Sequence, residues 1–167
     1  VAIGGGIVGD VAGFAAATYM RGVPLIQVPT TLLAMVDASI GGKTGINAKR
    51  TRTDGTEILG KNLIGAFWQP KLVVADVNIL KTLDARQLRC GLAECVKHAM
   101  LGHRDLLSFI EAHVADILDC EKDVMEELVF RSASIKAEIV SKDERESGER
   151  ALLNLGHTFA HAMEPMP

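Results

Sequence analysis

Hydrophobic positions change their spacing part-way along this chain. In the first half they come as short continuous runs, Val1-Ala2-Ile3, Pro24-Leu25-Ile26-Gln27-Val28 and Lys71-Leu72-Val73-Val74-Ala75-Asp76, bounded by glycine or proline. Runs of this length between turn residues predict buried strands. Between the first two, an alanine-rich stretch from Val8 to about Met20 predicts a helix, and Thr30-Thr31 opens a second helical stretch through Leu32, Leu33 and Val36. Strand and helix in alternation predict an α/β layer with a parallel sheet. From Thr82 onward, Ala85–Met100, Arg104–Leu118 and Lys122–Val140 carry apolar residues at spacings of three and four. Leu106, Ile110, Val114 and Ile117 form one core-facing stripe. The second half is therefore expected to be all-helical, with a boundary near residues 77–82.

Residues 48–59 fit neither pattern. Ala48-Lys-Arg-Thr-Arg-Thr-Asp-Gly-Thr-Glu57 is polar, charged and without period, which predicts an exposed, mobile loop. The chain opens on what resembles the end of a strand and stops just past a helix signal, so an internal piece of a longer protein is expected.

Composition narrows the classes. The chain has 167 residues, 48% of them hydrophobic, and a formal charge of −3. This is a folded globular composition, with no electrostatic reason to bind nucleic acid. No apolar run is long enough to span a bilayer. Cys90, Cys95 and Cys120 show no zinc spacing and no disulfide framework, so buried free thiols and a cytoplasmic setting are expected.

Against that background four groups of residues carry chemistry. Gly4-Gly5-Gly6-Ile7-Val8-Gly9 has the G-x-G-x-x-G spacing that lets backbone approach a pyrophosphate at a helix start; a tight turn that binds nothing has the same spacing. Lys43 sits among glycines, close enough to reach a phosphate, although a lone lysine is more often simply solvated. Glu94 and Lys97 lie on an otherwise apolar helix, where charge demands a partner or a metal; an i,i+3 salt bridge suffices. Lys136 and Arg150 follow with less force, Arg150 belonging equally well to a solvated turn with Asp143, Glu144 and Arg145. Finally, Asn154, His157 and His161 share one helical face, the spacing that presents two imidazoles to one metal, or one to a metal and one to its substrate; a buried pair bonded to backbone groups has the same spacing. His98, His103 and His113 have no partners at useful spacing and are read as surface or satisfied core histidines.

Taken in order, Gly-Gly-Gly-Ile-Val-Gly-Asp10, Thr-Tyr-Met-Arg21-Gly, Gln-Val-Pro-Thr30-Thr31, Val-Asp37-Ala-Ser-Ile-Gly-Gly-Lys43-Thr-Gly, Gly60-Lys61-Asn62, Gly-Leu-Ala-Glu94-Cys-Val-Lys97 and Asn154-Leu-Gly-His157-Thr-Phe-Ala-His161 resemble the 3-dehydroquinate synthase family. The resemblance implies a Rossmann-like NAD-binding part over 1–80, with 48–59 as an insertion, joined to a helical metal- and substrate-binding part over 81–167. It implies a carbon–oxygen lyase of the shikimate pathway. Such an enzyme turns 3-deoxy-arabino-heptulosonate 7-phosphate into 3-dehydroquinate and phosphate by transient oxidation, elimination and aldol closure. NAD and a divalent metal, zinc or cobalt, are the implied cofactors, and a homodimer is the implied assembly.

Carried over, Glu94 and His157 are metal ligands, with a third ligand beyond Pro167. Lys43, Lys97, Lys136, Arg150, Asn154 and His161 face the substrate, Asp37 lies between substrate and cofactor, and Arg21 reaches the phosphate of a neighbouring subunit. Gly5, Gly6, Asp10, Thr30, Thr31, Lys43, Lys61, Thr82 and Leu83 form the NAD set. Gln87 stands where the family commonly has glutamate. Other sugar-phosphate cyclases, of the 2-deoxy-scyllo-inosose or valiolone synthase type, share this logic, as in part does a glycerol dehydrogenase-type enzyme. A non-catalytic truncated homologue is the reading from a different class. The 167 residues alone are expected to be inactive.

Overall fold

The computed structural model describes residues 1–51, 55, 57–146 and 148–156, with backbone alone at 50 and 57–63. Strand β1 (Ala2–Gly4) turns through Gly5 into helix α1 (Gly6–Thr18), and β2 (Ile26–Pro29) returns alongside β1. A π-helical turn, Ala34–Ala38, follows, then β3 (Lys43–Thr51), β4 (Glu57–Phe67) and the short β5 (Leu72–Val73). The parallel sheet has the order β1-β2-β5, with Ile3 opposite Val28 and Gln27 opposite Val73. The three strands are those expected from the apolar runs, each shorter than its run.

Residues 48–59 are a correction. β3 and β4 pair antiparallel from Lys43↔Phe67 out to Thr51↔Glu57, with an irregularity between Ile46 and Ala48. Most of the expected loop is therefore the outer part of a hairpin. Polar composition gave no strand signal, because a ladder held by its backbone hydrogen bonds needs no alternation of apolar residues.

The second half is helical: α2 (Ala85–Met100), α3 (Arg104–Ala112), α4 (Val114–Leu118) and α5 (Lys122–Lys142), ending in a 3-10 turn, Glu149–Asn154. Asp84 caps α2 by accepting from the Arg86 amide at 2.8 Å. The expected helix over 104–118 breaks at His113, which serves as C-cap of α3 and N-cap of α4. Leu106, Ile110 and Ile117 are buried as expected, whereas Val114 is 45% exposed. The break rotates it off the stripe.

The principal core runs through the helical half but takes in Leu32, just before the π turn, and Met35 and Val36 within it. Gly91 makes that junction possible, since a Cβ there would stand 2.6 Å from the Leu32 side chain and the Leu33 amide nitrogen. A smaller cluster of Ala2, Ala16 and Leu25 seals α1 onto the sheet. Among the described residues no helix is long and apolar enough to cross a membrane. Cys95 and Cys120 are buried free thiols as expected, but Cys90 is exposed, on the outer face of α2.

Candidate active site

The π turn, the base of the hairpin and α5 converge on a cleft of about 550 Å³, whose lining includes Asp10, Asp37, Lys43, Phe67, Lys136 and Glu146. Asp37 lies within the π turn, an irregular element often found at functional sites. Lys136 Nζ sits 2.7 Å from Asp37 Oδ1 and also donates to the Asp37 backbone carbonyl. Burial pushes the Asp37 carboxyl up, but the Lys136 ammonium outweighs it and holds the group below its ordinary value. Burial in turn lowers Lys136 against the pull of Asp37. Asp10, on α1, is raised to about 6 by its own burial and by the Asp37 charge.

At the cleft rim, Lys43 forms an ion pair with Glu146, which also accepts from Asn154 Nδ2 at 2.9 Å. Sequence spacing did not single out Glu146, because it lies in a charged run that resembles a solvated turn. Part of that run is not solvated. Asp143 is buried and accepts from the Gly148 and Arg150 amides at 2.7 and 3.1 Å.

Arg150 is 1% exposed, which overturns its reading as part of a solvated turn. Its guanidinium donates to the Glu144 carbonyl and, at 2.9 Å, to the Gly41 carbonyl. Gly41 has φ +97°, and a Cβ there would lie 2.4 Å from Arg150 Nη2. Arg150 Cζ also stands 5.9 Å from the centre of the Phe67 ring, within cation–π reach. Through these contacts the helical half grips the turn that carries Lys43.

Glu94 and Lys97 form the expected ion pair on α2, both side chains largely buried. His98 is a correction in part. It is fully buried, with Nδ1 sharing a 2.7 Å hydrogen bond with Ser132 Oγ, while Nε2 has no partner among the described residues. Burial and the Lys97 charge push its pKa down to about 4, so the imidazole is neutral. One donor atom each from Asp37, Glu94 and His98 lie within 4.8 Å of one another.

The glycine turn fits an anion. Gly5 is the N-cap of α1 and has no side chain to cap it, and the first turn of the helix holds no acidic residue. Its amides therefore face outward with the positive end of the helix dipole. Gly5 and Gly6 lie against Thr31 and Ala38, where a Cβ would approach to 3.1 and 3.3 Å. Thr31 Oγ1 accepts from the Ala34 amide and so starts the π turn. Asp10 and Lys43, from the NAD set, thus line the same cleft as Asp37 and Lys136.

Other expected residues lie apart. Arg21 is exposed, with φ +65°, on a 3-10 turn after α1, and does not line the cleft. Thr82 is exposed, bonded to the Ile79 carbonyl, with Leu83 half-buried beside it. Lys61 lies on β4, with its side chain outside the described atoms. Asn154 ends the 3-10 turn, and His157 and His161, with the helical face expected for them, lie outside the described residues.

The fold is that of the sugar-phosphate cyclases. Over 98% of this chain it matches 2-epi-5-epi-valiolone synthase from Streptomyces hygroscopicus subsp. jinggangensis, solved with NAD+ and Zn2+, at TM-score 0.85 and 34% identity, covering 43% of that protein. It matches 2-deoxy-scyllo-inosose synthase, complexed with carbaglucose-6-phosphate, NAD+ and Co2+, at TM-score 0.84 and 34% identity, covering 98% of this chain and 42% of that one. Residues 1–90 match the family model of the 3-dehydroquinate synthase N-terminal domain and residues 91–167 that of the C-terminal domain; the chain belongs to the 3-dehydroquinate synthase family. It is 56% identical over 164 residues to 3-dehydroquinate synthase of Caulobacter vibrioides and 55% identical to that of Nitrosospira multiformis. In both cases it covers 98% of this chain and spans 42% of the relative's length.

Proposed function

We propose that this chain serves a 3-dehydroquinate synthase, eliminating phosphate from 3-deoxy-arabino-heptulosonate 7-phosphate and closing the carbocycle. The observation that carries the reading is the cleft where Asp10 and Lys43 meet Asp37, Lys136 and Glu146. A cofactor on the glycine turn and an anionic substrate on the cations would share that space. Identity of 56% to a dehydroquinate synthase, against 34% to the solved valiolone and inosose synthases, favours the first among the cyclases.

Residues 1–80 would hold NAD through Gly5, Gly6, Asp10, Thr30, Thr31, Lys43, Lys61, Thr82 and Leu83. Residues 81–167 would hold the metal through Glu94 and His157. Bound NAD would supply reversible hydride acceptance, and the divalent metal, zinc or cobalt, Lewis acidity at the hydroxyl that is oxidised. The chain's own residues do the remaining work. Lys97, Lys136 and Arg150 offer fixed cations to the phosphate and carboxylate, worth most where burial lowers the dielectric. Asp37 opposes the effect of burial on Lys136 and fixes its ammonium in the cleft wall. Asn154 and His161 complete the substrate side, and holding one conformer is much of the catalytic task. Arg21, exposed and not lining this cleft, suits a role across a homodimer interface.

The test is phosphate release from the heptulosonate 7-phosphate by the full-length protein, with NAD and zinc, with and without a chelator. Release that requires both and vanishes in His157→Ala is the expected result. No release with zinc still bound points to another cyclase or to a non-catalytic homologue. The 167 residues alone are expected to release no phosphate.

A further inference from the structure

Glu94 and His98 lie one turn apart on α2, and Ser132 and Lys136 lie one turn apart on α5, so each pair shares a helix face. The 2.7 Å bond between His98 Nδ1 and Ser132 Oγ joins those faces. It ties the two helices together one turn from Glu94 on one side and one turn from Lys136 on the other. Around it the core is apolar, with Cys95, Ala99 and Leu128 all buried.

A fully buried imidazole that uses only one nitrogen is rare, because an orphaned polar atom is costly in such a core. With Nδ1 engaged by Ser132, Nε2 makes no hydrogen bond, and one donor atom each of His98, Asp37 and Glu94 lie within 4.8 Å of one another. Two carboxylates beside a neutral ring favour the tautomer that carries its proton at Nε2, with the Ser132 hydroxyl donating to Nδ1. We infer that His98 is a positioning residue: held by Ser132, it keeps an unengaged Nε2–H beside Glu94 to hold that carboxylate once it takes a divalent metal. This rests on the reading of Glu94 as a metal ligand. Partners that orient a ligating carboxylate typically tune metal affinity about 10–100-fold.

The test uses the full-length protein, zinc alone, and competition with a chromogenic chelator. His98→Gln keeps an N–H near the Nε2 position, whereas His98→Asn keeps one near Nδ1. Zinc binding about tenfold or more weaker in His98→Asn, restored towards the parent in His98→Gln, is the expected result. Melting of the metal-free variants shows whether both are folded. If His98→Asn does not fold, Ser132→Ala, which frees the ring, is expected to weaken zinc in the same way. Equal zinc affinity in parent and folded variants overturns the inference alone. A parent that binds no zinc overturns the metal reading of Glu94 and the inference with it.

Discussion

Lys136 Nζ and Asp37 Oδ1 meet at 2.7 Å across 99 residues of sequence, with the lysine side chain 8% and the aspartate 30% exposed. That contact fastens α5 to the π turn and sets the floor of the cleft. Because the pair is largely buried, either charge alone is a liability. Lys136→Met should destabilise the protein by about 3–5 kcal/mol, as an uncompensated buried charge does. Adding Asp37→Asn should recover much of that loss without restoring phosphate release. Urea unfolding of the two singles and the double variant measures the coupling.

Lys43 and Glu146 behave differently because their ion pair is open to solvent, at 47% and 25% exposure. Such pairs contribute at most about 1 kcal/mol. Lys43→Ala and Glu146→Gln should therefore unfold within about 1 kcal/mol of the parent, yet lose phosphate release tenfold or more (about 1.4 kcal/mol in the barrier). Activity retained in both variants would remove them from the site.

Gly41→Ala meets two obstacles, the φ of +97° and the Arg150 Nη2 atom 2.4 Å from the new Cβ. Backbone strain alone costs roughly 1–2 kcal/mol, and displacing the guanidinium adds the loss of its bond to the Gly41 carbonyl. Arg150→Lys should destabilise too, since an ammonium cannot span both the Glu144 and Gly41 carbonyls. Thermal melting of both variants measures the effect.

Asp10 sets a pH dependence. Its carboxyl is raised from 3.8 to about 6 by burial and by Asp37, so the folded state favours the protonated form. Its contribution is fully present below the unfolded value and is lost as pH rises through about 6. Asp10→Asn should match the parent near pH 4 and exceed it at pH 7.5, by at most ~3 kcal/mol for a displacement from 3.8 to about 6. Urea unfolding of the NAD-free protein at the two pH values checks the sign.

The outer hairpin is separable from the cleft. Lining residues Lys43, Thr44 and Gly45 pair with Phe67, Ala66 and Gly65 at its base, while Ala48 pairs with Gly60 further out. Shortening the hairpin beyond Ala48–Gly60 and closing it with Asn-Gly should leave phosphate release by the full-length protein intact. A large loss would mean that the outer strands reach the site.

Whatever depends on neighbours along the chain was readable from the residues: the glycine turn into α1, the three short strands, the bounds of α2, and the Glu94–Lys97 pair. These follow from spacing, caps and turn chemistry, which act within a few residues. The hairpin escaped because its polar strands carry no alternation, and the break at His113 because the apolar spacing of Leu106, Ile110, Val114 and Ile117 runs through it in the sequence without interruption. The partners that join distant segments in and around the cleft were not readable. Ser132 with His98, Lys136 with Asp37, Lys43 with Glu146, and Arg150 with Gly41 are separated by 34, 99, 103 and 109 residues. Periodicity buries a face without saying which polar group stands opposite it. Which charges are neutralised, and which imidazole nitrogen is left over, depends on how the helical half docks against the π turn and hairpin.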